Sequence, residues 1–462
     1  MAAIVTKTFK KQVLDRVFDE LNAGTIKYYV GIGRSETWDS SDTPPAPTDT
    51  PRTVRNFRLS AQSVKQATDV TYVVPRYNWT TSTIFSAWDD DLSGTPTNAY
   101  YVLTDDNRVY ACLKQSKDAA GNAVVSTVKP NDTDTGKPFK TSDGYVWKFM
   151  YSLDGTTASK FLSSNFIPVA KIEDSSNSVS LTANQQVQAA VQENAPIAGI
   201  SSIKVTAAGT GYSSTPTVTI YGNGTGAAAT ATVSGGTVVK IELDSDADSC
   251  MKMGHSYQYA SVDITGGGGA GAKALAIISS GDDSGFGGNA INDLKSSSLM
   301  FNVKPAGAEN KDFIIGNQDF RQVSLIRSPY DSASGSLYSA TTGRIGQYLK
   351  VTSVSDASNL QKDVEITGQT SGAKAVIDDI DSDRVYAHQS EDTGFKVFTE
   401  GETIQGGGQS ATLDSAGNDA DSDAFTAEDL DKFKNEILYI ENRAPVERTS
   451  TQTEDIKVVI TL

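Results

Sequence analysis

Histidine and cysteine are almost missing from this chain. Its 462 residues include two histidines, His255 and His388, and two cysteines, Cys112 and Cys250. The chain therefore offers very few residues from which a histidine-based catalytic triad or a multi-histidine metal site could be built. Two cysteines in separate segments cannot supply a disulfide framework, so we expect both to be buried, reduced thiols.

Long apolar runs and an excess of positive charge are also lacking. No run of about 18 apolar residues occurs, which argues against a membrane-spanning helix, and the start MAAIVTKTFKKQ has no apolar segment typical of a secretory signal. The formal net charge is -16, whereas binding to phosphates needs clustered Lys and Arg. We therefore expect synthesis in a cytoplasm, with neither a nucleic acid nor a membrane as partner.

What the chain does contain is enough apolar material for folded cores and one distinctive early stretch. The length allows about three domains on a prior of ~150 residues each, and the hydrophobic content is 38%. Residues 28–49 read YYVGIGRSETWDSSDTPPAPTD. The first of them predict a buried strand, in which Gly31 and Gly33 omit Cβ where backbones come close. The prolines that follow, Pro45 among them, predict an extended surface segment anchored by Trp38.

This stretch carries a family resemblance. GRSETW followed by PPAPTD resembles the N-terminal signature of the baseplate wedge family called gene product eight, from T-even-type contractile-tailed bacteriophages. Three later stretches are similar to that family's signatures in the same order: DGYVWKFMYSL at 143–153, DFRQVSLIRSP at 319–329, and residues 436–462 with ILYIENRAPV and QTEDIKVVITL. The resemblance fails at 197–281 and at 338–420.

Local patterns predict several elements of the first part. The apolar spacing after Thr8 predicts a helix that ends at 22–24. Thr50 as N-cap and Pro51 at the first helical position predict a second helix, which continues through Val64. The same reasoning predicts strands at 70–74, 100–104, 108–113, 144–153 and 166–172, with a hairpin formed by the second and third.

A short glycine-rich motif repeats in the later part of the chain. Its copies are IYGNGTGAAA at 220–229, ITGGGGAGAKA at 264–274, ITGQTSGAKA at 366–375 and a weaker IQGGGQSA at 404–411. Each copy joins an apolar strand end to small residues through glycines that tolerate positive φ. The motif therefore predicts hairpins.

Two sequences imitate ligand sites. Residues 266–273, GGGGAGAK, have the spaced glycines of a phosphate loop, but Ala272 stands where that loop needs Lys and a strand pattern follows where a helix should begin. The aspartates at 244, 246 and 248 imitate a calcium loop, but Ser249 replaces the turn glycine and His255 replaces the bidentate glutamate. We expect no metal and no cofactor.

We predict an α+β fold that is mostly β: a discontinuous sheet-rich core with a few helices and two inserted small β modules of glycine-rich hairpins. The core would comprise residues 1–196, 282–337 and 421–462, and the modules residues 197–281 and 338–420. Because long insertions at surface loops cost little loop-closure entropy, we expect the modules to be dispensable for dimerisation and assembly.

The resemblance implies a function that is structural and not enzymatic. The protein would form a homodimer, join other baseplate wedge proteins in the host cytoplasm, and become part of the virion tail. There it would relay the conformational change that triggers sheath contraction.

The family signatures also contain the residues that we expect to act as interface or structural anchors: Arg34, Trp38, Pro45, Trp147, Arg321, Glu441, Asn442 and Arg443. Arg321, Glu441 and Arg443 interrupt otherwise apolar strands. Because a charge there needs a partner or a path to water, at least one of the two arginines should hold a carboxylate or a backbone carbonyl. An ordinary surface arginine is the alternative.

Two other functions remain open. A receptor-binding or glycan-binding virion protein would use the aromatic residues at 77–91 beside three aspartates, although aromatics at this density usually bury between layers. A hydrolase acting on a host surface polymer would use paired carboxylates, and with 56 acidic residues some pairs lie close by chance. A trimer with sugar bound at 77–91 favours the first alternative. Polymer turnover that is lost on changing one carboxylate favours the second.

Overall fold

The computed structural model describes residues 4–39, 41–90, 98–173, 180–195, 198–245, 250–279, 285–305, 319–415, 425–426, 428–447 and 452–462. Strands account for 42% of the structure and helices for 13%. The predicted α+β, mostly β fold is therefore confirmed. Among these residues, no helix is long and apolar enough to cross a membrane.

The helices are few and short. Within the described ranges they are α1 (Lys7–Asn22), α2 (Pro51–Ser60), α3 (Gly155–Phe161), α4 (Ala183–Glu193), α5 (Ala290–Asp293) and α6 (Val354–Ala357). Thr50 caps α2 as predicted, because its hydroxyl accepts a hydrogen bond from the Thr53 amide and Pro51 takes the first helical position. The N-cap of α1 is Thr6, two residues before the predicted Thr8.

Strands make up most of the remaining regular structure. They are β1 (Tyr28–Gly33), β2 (Ala61–Ala67), β3 (Asp69–Pro75), β4 (Tyr101–Leu103), β5 (Arg108–Lys114), β6 (Phe139–Lys140), β7 (Val146–Ser152), β8 (Phe166–Val169), β9 (Ile200–Thr210), β10 (Thr217–Gly222), β11 (Thr225–Ala227), β12 (Ala229–Ser234), β13 (Thr237–Leu243), β14 (Met253–His255), β15 (Ala260–Thr265), β16 (Ala270–Ile278), β17 (Ser298–Val303), β18 (Asp319–Arg327), β19 (Tyr330–Asp331), β20 (Thr342–Arg344), β21 (Gln347–Lys350), β22 (Glu365–Gly368), β23 (Lys374–Asp381), β24 (Arg384–His388), β25 (Thr403–Gly406), β26 (Gln409–Thr412), β27 (Phe425–Thr426), β28 (Leu430–Asp431), β29 (Glu436–Glu447) and β30 (Ile456–Thr461). The predicted hairpin of β4 and β5 is confirmed.

The chain divides into two compact units. The first unit joins Met1–Val70 to Leu299–Leu462, and the second is Thr71–Ser298. The predicted segment 338–420 lies within the first unit, and 197–281 lies within the second. The five-segment division drawn from the sequence stays a prediction.

A five-stranded antiparallel sheet lies at the centre of the first unit, in the order β20-β2-β1-β18-β29. Its central strand, β1, is buried throughout. A Cβ built on Gly33 would lie 2.7 Å from the Ser60 carbonyl oxygen and 2.9 Å from the Ala61 Cα. Glycine is thus needed at this position, where the predicted close approach of backbones occurs.

The helix α2 is shorter than its apolar spacing predicts. It ends at Ser60 and the chain continues directly as β2, so the prediction of a helix through Val64 is wrong. Val64 lies opposite Gly31 and is fully buried. Pairing with β1 satisfies the backbone and buries the same side chain, so this tertiary contact overrides the helical spacing.

A second large sheet of the first unit has the order β26-β25-β22-β23-β24-β21-β27. It encloses its own apolar core, which includes Ile366, Ile377, Val385, Ile404 and Leu413. The predicted module 338–420 supplies nearly all of this sheet. The same segment also supplies β20 and Tyr338 to the five-stranded sheet and its core.

The second unit contains the sheet β4-β5-β7-β6, the sheet β12-β13-β9-β16, and the two-stranded ribbons β10-β15 and β11-β14. Tyr110, Trp147 and Phe149 of the first sheet form an aromatic core with Phe85 and Tyr145, which lie outside its strands. Phe85 and Trp88 are buried. The other two aromatic residues of the 77–91 stretch, Tyr77 and Trp79, are partly buried.

The glycine-rich motifs fold in two different ways. Residues 366–375 and 404–411 form the hairpins β22-β23 and β25-β26, as predicted. The copies at 220–229 and 264–274 do not form hairpins. Their apolar strand ends pair with each other as β10 and β15, while β16 pairs with β9. Val218 opposite Ile264 and Ile220 opposite Val262 make apolar cross-strand pairs that the small residues following each turn cannot match.

Both cysteines are free. Cys112 is buried, and burial raises the pKa of its thiol. Cys250 is partly buried, so the prediction of a fully buried thiol is wrong at this position. The aspartate series that imitates a calcium loop extends into 246–249, which lies outside the described residues.

Candidate functional site

Six of the eight residues predicted as anchors meet around one loop of the first unit. We define the anchor loop as residues 34–39 and 41–50, which connect β1 to α2. Arg34, Trp38 and Pro45 belong to the loop, while Arg321, Asn442 and Arg443 contact it from β18 and β29. Glu441 lies next to this group, and Trp147 lies in the second unit.

The anchor loop contains two residues in a left-handed backbone conformation. Arg34 has φ 59° and Asp42 has φ 51°. This conformation is uncommon for residues other than glycine, and it persists where surrounding contacts hold it. The Arg34 amide donates to the Ser60 carbonyl at 3.0 Å, and its own carbonyl accepts from the Arg321 amide at 3.0 Å. The start of the loop is thus fixed on both sides by backbone hydrogen bonds.

Arg34 and Trp38 stack on each other. The Arg34 guanidinium carbon lies 4.1 Å from the centroid of the Trp38 ring, and Nη2 donates to the Thr37 carbonyl at 3.0 Å. Burial lowers the pKa of Arg34. A guanidinium over an indole face is a favourable cation–π contact, so the two residues hold one another inside the loop.

Arg321 ties the middle of the anchor loop to β18. The residue is only 4% exposed. Nε donates to Asp42 Oδ1 at 2.9 Å, Nη2 donates to Asp42 Oδ2 at 2.9 Å, and Nη1 donates to the Ser35 carbonyl. The hydrogen bond from Arg321 is the main cause of the lowered pKa of Asp42. The prediction that at least one of the two arginines holds a carboxylate or a backbone carbonyl is therefore confirmed, and Arg321 binds the carboxylate in a bidentate manner.

The far end of the anchor loop covers part of β29. Trp38 Nε1 donates to the Arg443 carbonyl at 3.0 Å, and Asn442 Nδ2 donates to the Pro45 carbonyl at 2.9 Å. Gln322 in turn holds Asn442, with Nε2 donating to Oδ1 at 2.8 Å. Within the described residues β29 is the edge of its sheet. The loop therefore occupies one backbone carbonyl of an edge strand, a kind of group that an open edge can offer to another chain.

The guanidinium group of Arg443 has a different environment from that of Arg321. Its Nε lies 3.9 Å from Glu441 Oε1, and both side chains are more than a third exposed. Glu441 also accepts a hydrogen bond from the Tyr439 hydroxyl at 2.9 Å. The sequence predicted a partner for the Arg443 side chain. In the structure it is the Arg443 backbone carbonyl that binds the anchor loop, through Trp38.

His388 is the central residue of the site that the sequence analysis missed. It ends β24 and is 5% exposed. Nδ1 lies 2.8 Å from Asp378 Oδ1, and Nε2 lies 3.0 Å from Glu36 Oε1. Burial lowers the pKa of His388, but the two carboxylates outweigh it and raise the pKa to about 10. Burial raises the pKa of Glu36, and the hydrogen bond from His388 reverses this to leave it lowered.

Asp378 reaches the histidine because β23 is irregular at this point. Ile377 pairs with Ala387 and Asp379 pairs with Tyr386, so Asp378 is an extra residue in a β-bulge. Its Oδ1 also accepts a hydrogen bond from the Ser35 hydroxyl at 2.6 Å. The signal was present in the sequence, because DD interrupts the apolar strand KAVIDDID. The criterion applied to Arg321 would have found it.

A cavity of about 300 Å³ opens beside these residues. Both signs of charge line it, including Arg34, Glu36, Arg52, His388 and Glu391. Arg52 Nη2 donates to Glu391 Oε2 at 2.7 Å, and Arg55 contacts the same carboxylate. Charges of opposite sign are thus in contact around the cavity.

The chemistry available at the cavity is limited. The Ser35 hydroxyl donates to Asp378 and has no histidine hydrogen-bonded to it as a base. Over the described part of the chain, no group of three or more His, Cys, Asp and Glu residues is arranged to hold a metal ion. The arrangement is suited to holding backbone segments together.

Trp147 has a structural environment of its own in the second unit. Its ring stacks on Tyr145 at 5.7 Å and meets Phe85 edge-on at 5.5 Å. The next residue, Lys148, is 2% exposed, and its Nζ donates to the Thr135 carbonyl at 2.7 Å. Burial lowers the pKa of Lys148 to about 8. Trp147 is therefore part of an aromatic core and does not belong to the anchor-loop site.

No protein-family model matches this chain, and no curated protein matches it.

Proposed function

We propose that this protein is a structural component of the baseplate wedge in a contractile phage tail. The observation that carries the proposal is the set of four sequence blocks at 28–49, 143–153, 319–329 and 436–462, which resemble the gene product eight family in the same order. The protein would assemble in the host cytoplasm as a homodimer with other wedge proteins and remain in the virion. It would relay the conformational change that triggers sheath contraction.

The geometry of the anchor-loop site supports this proposal. The loop comes from the first block, Arg321 comes from the third, and Asn442 and Arg443 come from the fourth. Residues separated by hundreds of positions are thus joined by hydrogen bonds within one site. Sequence blocks of this kind are expected to encode the structural core that a family shares.

The charges of the site also fit a structural use. Arg321 is bound to Asp42, His388 lies between Asp378 and Glu36, and Glu391 holds Arg52. The buried cations Arg321 and His388 are satisfied by carboxylates, which helps to define a single geometry, whereas the Arg52–Glu391 pair is partly exposed. We therefore propose that the protein acts by assembly and not by catalysis.

Labelling and sedimentation test the proposal. Antibodies raised against this chain should label the baseplate end of contractile tails purified from the phage that encodes it, and the isolated protein should sediment as a dimer at micromolar concentration. Tails that carry no label at the baseplate would contradict the proposal. A monomer would contradict its dimeric part.

The glycan-binding alternative has one observation in its favour. Tyr221 and Tyr259 are 58% and 66% exposed. Tyr221 pairs with Ser261, and Tyr259 immediately precedes β15, so both tyrosines lie at the same end of the β10-β15 ribbon. Exposed aromatic rings of this kind can stack on sugars. Binding of host polysaccharide that disappears in a Tyr221→Ala, Tyr259→Ala double variant would favour this alternative.

A further inference from the structure

The two carboxylates beside His388 define the protonation of its ring. A neutral imidazole has one donor nitrogen and one acceptor nitrogen, whereas a carboxylate only accepts. With Asp378 at 2.8 Å from Nδ1 and Glu36 at 3.0 Å from Nε2, both ring nitrogens must donate. The geometry therefore requires an imidazolium.

This imidazolium joins two separate structural elements of the first unit. Asp378 lies on β23 of the seven-stranded sheet, and Glu36 lies in the anchor loop. The loop is held to the five-stranded sheet by Arg321 and by the Arg443 carbonyl. One charged ring thus connects the two sheets through the anchor loop.

Other charged groups near the ring do not replace its contacts. Arg34 is a second cation beside Glu36, and its Nη1 lies 3.8 Å from Glu36 Oε2. On the segment after β24, Glu391 is bound by Arg52 and Arg55, and Asp392 lines the same cavity. Asp42 is held by Arg321. His388 is therefore the group whose charge decides whether Asp378 and Glu36 are both satisfied.

We propose that protonated His388 is a latch that holds the anchor loop closed, and that loss of the ring charge releases the loop around Glu36 and Trp38. Without the charge, one carboxylate would face the lone pair of a ring nitrogen. Release would also relax the left-handed backbone at Arg34. It would uncover the cavity and the Arg443 carbonyl on the edge of β29, where another strand could then pair.

The latch acts within one chain and would operate whether or not the protein belongs to a baseplate. Its two predictions are a doubly protonated ring and a loop that opens when the ring is replaced. The chain offers a matched control, because its only other histidine, His255, is exposed and contacts Ser256.

Nitrogen NMR of the full chain labelled with ¹⁵N-histidine tests the protonation. At pH 8 both ring nitrogens of His388, assigned by their loss in H388N, should give imidazolium signals. Signals of a neutral ring, with one protonated and one bare nitrogen, would overturn the proposal.

Hydrogen exchange tests the release. In H388N, peptides that cover 34–39 should exchange at least tenfold faster than in the natural protein, whereas peptides that cover β7 should not change. H255N should leave both regions unchanged. If H388N does not fold, Glu36→Gln removes the charge on the partly exposed side of the ring, and the same acceleration at 34–39 is expected. An unchanged loop in a folded H388N or E36Q protein would overturn the proposal.

Discussion

His388 in the first unit and Lys148 in the second are both buried cations, but their surroundings act on them in opposite directions. Burial is the largest single influence on each, and for each it lowers the pKa. His388 has a carboxylate on either side, and its pKa rises to about 10. Lys148 donates to a backbone carbonyl, and its pKa falls to about 8. The partner, and not the degree of burial, decides the direction.

The two buried charges have different effects on the stability of their units. A carbonyl satisfies a hydrogen-bond donor without balancing its charge, so Lys148 adds a cost to the folding of its sheet. Two carboxylates balance the charge of His388 and also bind a loop from a distant part of the chain. The first unit uses its buried cation as a link, whereas the second unit tolerates one in an aromatic core.

Asp378→Asn should have the largest effect, because it removes the charge partner that makes the two sites differ. Leaving His388 with only Glu36 should lower the free energy of unfolding of the first unit by about 3 kcal/mol, the range typical for breaking a buried ion pair. Differential scanning calorimetry at pH 7 measures the change. Asp381→Asn on the same strand is the control, since Asp381 is exposed. A loss no larger in D378N than in D381N would show that the pair contributes nothing.

The pH dependence of stability should have opposite signs at the two sites. For His388 the folded pKa of about 10 exceeds the ordinary value of 6.5, so its stabilisation is complete below pH 6.5 and is lost as the pH rises to about 10. For Lys148 the folded pKa of about 8 lies below the ordinary value of 10.5, so stability increases as the pH rises between these values. Each slope amounts to at most about 1.4 kcal/mol per pH unit.

Urea titrations from pH 6 to pH 10.5 separate these two contributions. The stability difference between the natural protein and H388N should shrink as the pH rises. The difference between the natural protein and Lys148→Met should move in favour of the natural protein above pH 8. If both stability differences changed in the same direction with pH, the contrast between His388 and Lys148 would be wrong.

Lys148→Met should stabilise the second unit slightly, by about 1 kcal/mol at pH 7. The variant removes a desolvated charge and keeps the volume of the side chain, but it leaves the Thr135 carbonyl without its donor, so most of the gain is offset. Thermal unfolding measures the net change, with Lys140→Met as the control, since Lys140 on β6 is exposed. A loss of 2 kcal/mol or more would mean that the Lys148 hydrogen bond outweighs the cost of burying its charge.

Arg443→Ala should have the smallest effect and extends the comparison to an exposed cation. The Arg443 side chain is partly solvated and weakly paired with Glu441, and its contact with Trp38 uses the backbone carbonyl, which alanine keeps. The free energy of unfolding should change by no more than about 0.5 kcal/mol. Arg321→Ala is the contrasting variant, since it strips Asp42 of a bidentate partner. Equal losses of unfolding free energy in Arg443→Ala and Arg321→Ala would contradict the distinction drawn between these arginines.

Local features of the fold could be predicted from the sequence. The N-cap at Thr50 with Pro51 depends on neighbouring residues alone, and the β4-β5 hairpin depends on a short turn. The hairpins at 366–375 and 404–411 are local in the same sense. In these cases the physical determinants lie within a few positions of each other.

Part of the candidate site could be predicted because charge in an apolar strand is unusual wherever it occurs. Arg321 was found in this way, and Asp378 met the same criterion without being recognised. His388 gave no such signal, since a single histidine at the end of a strand is common in ordinary cores. Its partner Glu36 lies 352 positions away in the sequence, and nothing local relates the two.

The sequence by itself determined the class of the fold, the start of α2, the buried strand β1 with its glycines, and the need of Arg321 for a partner. Only the tertiary structure decided that α2 ends at Ser60, that β10 pairs with β15 across the turns, and that His388 lies between two carboxylates. The physical reason is that capping, turn geometry and side-chain polarity act over a few residues. Strand pairing and buried charge networks depend on which distant segments the folded chain brings together.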